Sequence, residues 1–138
     1  MSAPFTGAPA LPMNTAAAPA KARSQGAGIP ETLAQLARPR KHYRWYYSTP
    51  QANADMWHCH DGVHAFLRAY FHHKSADWPQ NKPYRLEAWS AEQLALMPTY
   101  YIMDLDQTMP QTVAPFMPDA AAIAACRWLP ESEMAVYA

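Results

Sequence analysis

Four aromatic rings fall within five consecutive positions in the stretch His42-Tyr43-Arg44-Trp45-Tyr46-Tyr47-Ser48-Thr49-Pro50-Gln51, and a proline follows. On a helix Tyr43 and Tyr47 lie one turn apart on a common face, while Trp45 points elsewhere. So much aromatic surface is not stable in water, so most of these rings must be buried or must line a cavity. A buried phenol requires a hydrogen-bond partner, and beside an empty pocket that place is open to an oxygen of a ligand. Core packing would satisfy the same rings, and both readings stand at this level.

The 138 residues fit one domain with a modest core. Formal charge is zero, which excludes the basic footprint of a nucleic-acid binder and leaves no acidic tail. The 14 prolines are about twice the average share, whereas glycine is limited to Gly7, Gly26, Gly28 and Gly62. No phosphate-cradling loop can be built from those four. Cys59 and Cys126 form no CxxC pair, which fits two reduced thiols. No apolar run approaches the ~20 residues of a membrane span. Ala18-Pro19-Ala20 imitates a cleavage site but has no apolar region before it, so a cytoplasmic location without membrane attachment is expected.

Residues 1–29 read as irregular. Met1 to Phe5 is short and apolar, and residues 6–28 are an Ala/Pro/Gly-rich linker that buries too little to offset ordering entropy. Residues 30–138 read as a helical domain. Pro30 opens a helix with Glu31 in its first turn and Leu33 and Leu36 facing inward, ending near Arg38-Pro39. A second helix is expected over 40–48, stopped by Pro50, and then a turn or short helical piece over 51–60. Asp61 is the expected N-cap of the clearest helix, in which Val63, Phe66, Leu67, Tyr70 and Phe71 form an apolar stripe. Lys74 to Pro83 is a loop carrying Trp78, and Ser90 with Gln93 makes a capping-box pattern for a helix over 91–97. Tyr100 to Leu105 is apolar enough for a strand but has no evident partner, so an irregular or helical form is expected. Pro110 starts a helix through Phe116, Asp119 caps Ala120 to Trp128, and Pro130 with Glu131 and Glu133 opens the last one.

Tyr43-Arg44-Trp45-Tyr46-Tyr47 followed by Pro50 resembles the cap segment of epoxide hydrolases of the α/β-hydrolase superfamily. There a tyrosine, two variable residues, two aromatics and a proline follow in this order. Met134-Ala135-Val136-Tyr137-Ala138 resembles the cap helix that carries a partner tyrosine. Phe66 to Phe71, Lys74 to Trp78 and Met97 to Asp104 are similar to the cap of a bacterial branch of these hydrolases. The likeness covers roughly residues 40–138, and more weakly Met1 to Phe5, which resembles the core-strand exit where a cap is inserted. If so, Met1 is an internal residue of a longer parent. Two departures stand out: Gln51 replaces the glycine usual after the proline, and the signature beyond the second tyrosine is absent because the sequence stops.

The resemblance implies a mainly α chain, the helical cap or lid of an α/β hydrolase without its core sheet. It also implies a small-molecule substrate and a missing α/β-hydrolase core domain as partner. Tyr43 and Tyr137 would take the catalytic roles as phenol donors to the epoxide oxygen, with Arg44, Trp45 and Tyr47 substrate-binding. When a carboxylate attacks an epoxide carbon, charge develops on the ring oxygen, and two converging phenols would stabilise it and return a proton. A phenol with an ordinary pKa near ~10 is protonated at neutral pH and donates without tuning. The nucleophile and a histidine base are not in this chain. No glycine-flanked nucleophile turn exists, and Asp61-Gly62 sits at a helix start, so the chain alone is expected to be inactive. In isolation its uncovered apolar face should drive self-association.

Two rival readings remain. A dehalogenase-type cap would bind halide through the indole N–H of Trp45 or Trp78. A stand-alone interaction or metal module would use His58, Cys59, His60 and His64, where His60 and His64 have the i, i+4 spacing that grips zinc. That pair straddles a helix start and completes no ligand motif, so neither metal nor cofactor is expected. His72 and His73 read as partly exposed helix-end side chains. Asp104 and Asp106 diverge at i, i+2 and read as a solvated turn.

Overall fold

A computed structural model describes residues 28–138. The expectations for Met1 to Phe5 and for the linker lie outside the described residues. The remainder is mainly helical with one small sheet. Helix α1 (Ile29–Ala34) has Pro30 in its first turn and buries Leu33 completely. The next element is not the start of a helix: Arg40–His42 forms strand β1, and helix α2 (Tyr43–Tyr47) begins only after it. β1 pairs antiparallel with β2 (Ile102–Asp104), in the register Arg40↔Asp104, Lys41↔Met103 and His42↔Ile102. Three polar residues are too few to show a period-two pattern, which hid the partner that Tyr100 to Leu105 lacked in the sequence.

β2 organises the core because successive strand residues point to opposite faces. Met103 enters a cluster with Tyr46, Ala52, Phe66, Ala69, Tyr100, Met109 and Val113. Its neighbour Ile102 enters a second cluster with Leu33, Ala91 and Leu94. The short ribbon thus has an apolar cluster on each face.

Pro50 both ends α2 and occupies the first turn of α3 (Pro50–Trp57), where its missing N–H costs nothing. Helix α4 (Gly62–Lys74) is the longest element and packs against α3, α6 (Met109–Val113) and α8 (Glu131–Tyr137). Asp61 is the N-cap residue of α4, as expected, but its side chain makes no capping bond; the carboxylate accepts from His60 Nδ1 at 2.7 Å instead. Gly62, at φ +81°, carries the turn into the helix through a region that side chains rarely occupy. α4 also departs from its apolar stripe, for Arg68 and His73 are buried together with Phe66 and Ala69.

Helix α5 (Ala91–Leu94) is shorter than the expected 91–97, though Ser90 does accept from the Gln93 amide. The Gln93 side chain accepts from the Glu87 amide rather than closing a box. A complete box caps α6 instead, with Thr108 and Gln111 bonding each other's backbone, and a single 3₁₀ turn, Ala114–Phe116, continues it. Asp119 caps α7 (Ala120–Ala125) through the Ala122 amide at 2.7 Å, and α7 stops short of Trp128. No helix among the described residues is long and apolar enough to cross a membrane.

Candidate functional site

Tyr43 stands at the point where β1 turns into α2. Its amide donates to the Tyr101 carbonyl at 2.8 Å, continuing the ribbon, while His42 Nδ1 accepts from the Arg44 amide and starts the helix. Burial, and then the nearby Arg44, hold the His42 pKa below its ordinary value, which favours the neutral ring able to accept that bond. The half-buried Tyr43 ring stacks on His42 and meets Tyr47 and Tyr101 edge-on, at centroid distances of 5.7 and 5.5 Å. The helical spacing of Tyr43 and Tyr47 therefore gives the common face expected of it.

Tyr46 is buried beside Tyr47, with ring centroids 5.5 Å apart, and donates to Asp55 Oδ2 at 2.9 Å. Burial, with that carboxylate beside it, pushes its pKa up to about 12. Tyr47 is raised as well, first by burial and then by the neighbouring Tyr70 phenol. Arg44 and Trp45 are exposed, Trp45 leaning on His42.

At the far end of the chain, Tyr137 is exposed on α8 and meets Phe71 of α4 edge-on at 6.4 Å. The helix beneath it is held by the fully buried Met134 and by Arg68, whose guanidinium donates to the Leu129 carbonyl and to Glu131, each at 2.8 Å. Tyr43 and Tyr137 are not in contact. Tyr43 meets Tyr47 on α2, and Tyr137 meets Phe71, which meets Tyr70, on α4; Tyr47 and Tyr70 both pack against the larger core cluster.

Lys74 is the residue of this region that sequence reasoning passed over. Its ammonium donates to the Tyr70 phenol at 3.1 Å and lies 4.7, 5.3 and 5.6 Å from the ring centroids of Tyr70, Tyr100 and Tyr101. The i, i+4 spacing of Tyr70 and Lys74 was a visible signal, but the two rings from beyond residue 99 were not.

Trp78 is half-buried against His73 and Phe116, a group that Tyr100 joins to Tyr101 and Tyr43. Of the histidines, His64 pairs with Glu131, His60 is almost wholly exposed, and His73 is wholly buried, contrary to the exposed helix end expected of it. No set of three or more His, Cys, Asp or Glu among the described residues is placed to hold a metal ion. Asp104, expected in a solvated turn, instead receives Arg38 and Arg40 at the end of the ribbon.

A cavity of about 690 Å³ lies apart from the tyrosines, between α3, α4, α6 and the 3₁₀ turn. Phe66, Ala69 and Met117 line it, and Asp55, Cys59 and Asp61 face it. None of Tyr43, Arg44, Trp45, Tyr47 or Tyr137 does. Compared with known proteins, the chain matches no family model, no curated protein and no solved structure.

Proposed function

We propose that the chain is the helical cap of an α/β hydrolase of epoxide-hydrolase type, and that Tyr43 and Tyr137 donate to the oxygen of the opening epoxide. The observation that carries this reading is that the Tyr43–Tyr47 pair of α2 and Tyr70 of α4 pack against one core cluster, with Tyr70 meeting Phe71 and Phe71 meeting Tyr137 of α8. It gives two phenols 94 positions apart in the chain a common support. In the proposed reaction a carboxylate on a separate catalytic core attacks an epoxide carbon. The C–O bond breaks, and the phenols hold the oxygen as it turns anionic and return a proton. The resulting ester on the core is hydrolysed by water activated by a histidine. Trp45 and Arg44, both exposed beside Tyr43, would meet the substrate or the core.

The ribbon passes directly from strand to helix at His42–Tyr43, but that turn carries no Asp, Ser or Cys and no flanking glycine, so chemistry is assigned to the partner core. Exposed Trp57, Trp89, Trp128 and Val136 supply apolar surface for that partner to cover.

The test is hydrolysis of styrene oxide by the chain joined to an α/β-hydrolase catalytic core. Tyr43→Phe and Tyr137→Phe should each lower kcat about 10²-fold, the usual loss for one donor at a developing oxyanion. A Tyr43→Phe enzyme that turns over at full rate rules the reading out. The isolated chain should sediment as oligomers, and a cooperatively melting monomer would count against a missing partner.

A further inference from the structure

The cavity between α3 and α6 is the feature that neither the tyrosine contacts nor the cap reading uses. Its volume, about 690 Å³, falls in the range of small-molecule sites. Its wall is built from small and apolar side chains: Ala54 of α3, Ala65, Phe66 and Ala69 of α4, and Pro110 and Ala114 beyond. Phe66 and Ala69 are buried members of the larger core cluster, so this wall is fixed by the fold. Two carboxylates, Asp55 and Asp61, line it together with His58 and His60, and neither lysine nor arginine does.

The two carboxylates are held in place. Asp55 accepts from the Tyr46 phenol at 2.9 Å and from Gln51 Nε2 at 3.0 Å, and Asp61 accepts from His60 Nδ1 at 2.7 Å. Such bonds orient a carboxylate while leaving acceptor positions on it unfilled. Phe66 is the one benzene ring on the wall, and its face attracts a cation whose water has been stripped. The geometry points to a binding site for an organic cation with an apolar body, an amine or quaternary ammonium. Its hydrocarbon part would rest on the alanines and Phe66, and its charge would lie toward Asp55 and Asp61.

Cys59 also lines the cavity and provides the readout. In a Cys126→Ser background it is the one remaining thiol of the chain. At pH 8, benzyltriethylammonium should slow iodoacetamide alkylation of Cys59 and bind at least tenfold tighter, by calorimetry, than diphenylacetate. Asp61 is exposed, so Asp61→Asn should fold normally and cut that preference several-fold. Ala114→Phe, placed at an exposed position of the wall, should weaken both the binding and the protection. Equal binding of cation and anion overturns the proposal, as does no protection of Cys59 or an unchanged preference in Asp61→Asn. None of these measurements involves epoxide hydrolysis, so failure here and failure of the cap reading are separable.

Discussion

The His73 ring lies almost flat on that of Phe116, with centroids 3.6 Å apart and planes 19° from parallel. Trp78 and Tyr100 meet the same ring edge-on, at 4.4 and 4.8 Å, so a titratable side chain sits inside an aromatic box. Nδ1 finds no partner among the described residues, and burial followed by the neighbouring His72 lowers the pKa to about 4.

This burial sets a pH dependence of stability. The unfolded chain takes up the proton near 6.5, while the folded one resists it until about 4. Between those values the unfolded state binds more protons, so stability falls as pH falls. The loss should be on the order of 2 kcal/mol between pH 7 and 4.5. Urea unfolding at the two values measures it. His73→Phe, which keeps a ring in the box and removes the titration, should lose distinctly less over the same interval. Equal losses in the two proteins would show that His73 is not the group responsible.

Asp104 should behave differently, because its two arginines differ in burial. Arg40 is buried and bonds Oδ1 at 2.8 Å, whereas Arg38 reaches both oxygens from solvent. Asp104→Asn strands a buried guanidinium and should cost about 3 kcal/mol in thermal unfolding. Arg38→Ala removes an exposed partner and should cost about 0.5 kcal/mol. The hydrogen bond from Arg38, with help from Arg40, holds the Asp104 pKa below its ordinary 3.8. Its contribution is therefore present above pH 3.8 and disappears as pH falls through the lower folded value, beneath the His73 window. Similar losses for the two variants would mean that the clasp is not anchored by Arg40.

Local chemistry was legible in the sequence where a single turn decides it. Pro30, Asp119 and Pro130 mark three helix starts that the structure keeps, and Leu33 is buried as its spacing implies. Thr108 and Gln111 carried the same kind of signal, a Thr-x-x-Gln capping box, and that one was overlooked. What could not be read depends on distant partners. Arg40 becomes a strand residue only because Asp104 lies opposite, and Arg68 is buried only because Leu129 and Glu131 receive it. The cavity draws Asp55 and Gln111 to one place from helices that no periodicity connects. The aromatic stretch is an intermediate case, since its spacing gave the Tyr43–Tyr47 face but not the Tyr101 ring against it.

Arg68 should control whether α8 is formed at all. A seven-residue helix is too short to persist on its own, so its contacts with the rest of the chain must hold it. Those contacts are the buried Met134, the Phe71–Tyr137 ring pair, the His64–Glu131 pair, and the Arg68 fork to the Leu129 carbonyl and Glu131. Arg68→Met keeps much of the side-chain volume but leaves the Leu129 carbonyl without its donor, and should cost about 2 kcal/mol. Glu131→Gln touches the exposed end of the fork and the exposed His64 pair, and should cost about 0.5 kcal/mol. The loss in Arg68→Met should be local. Amides of 131–137 should exchange at least tenfold faster with deuterium while those of α6 keep their protection. Protection of α8 that survives Arg68→Met would show that Arg68 is not the anchor and leave it to Met134 with the Phe71–Tyr137 and His64–Glu131 contacts.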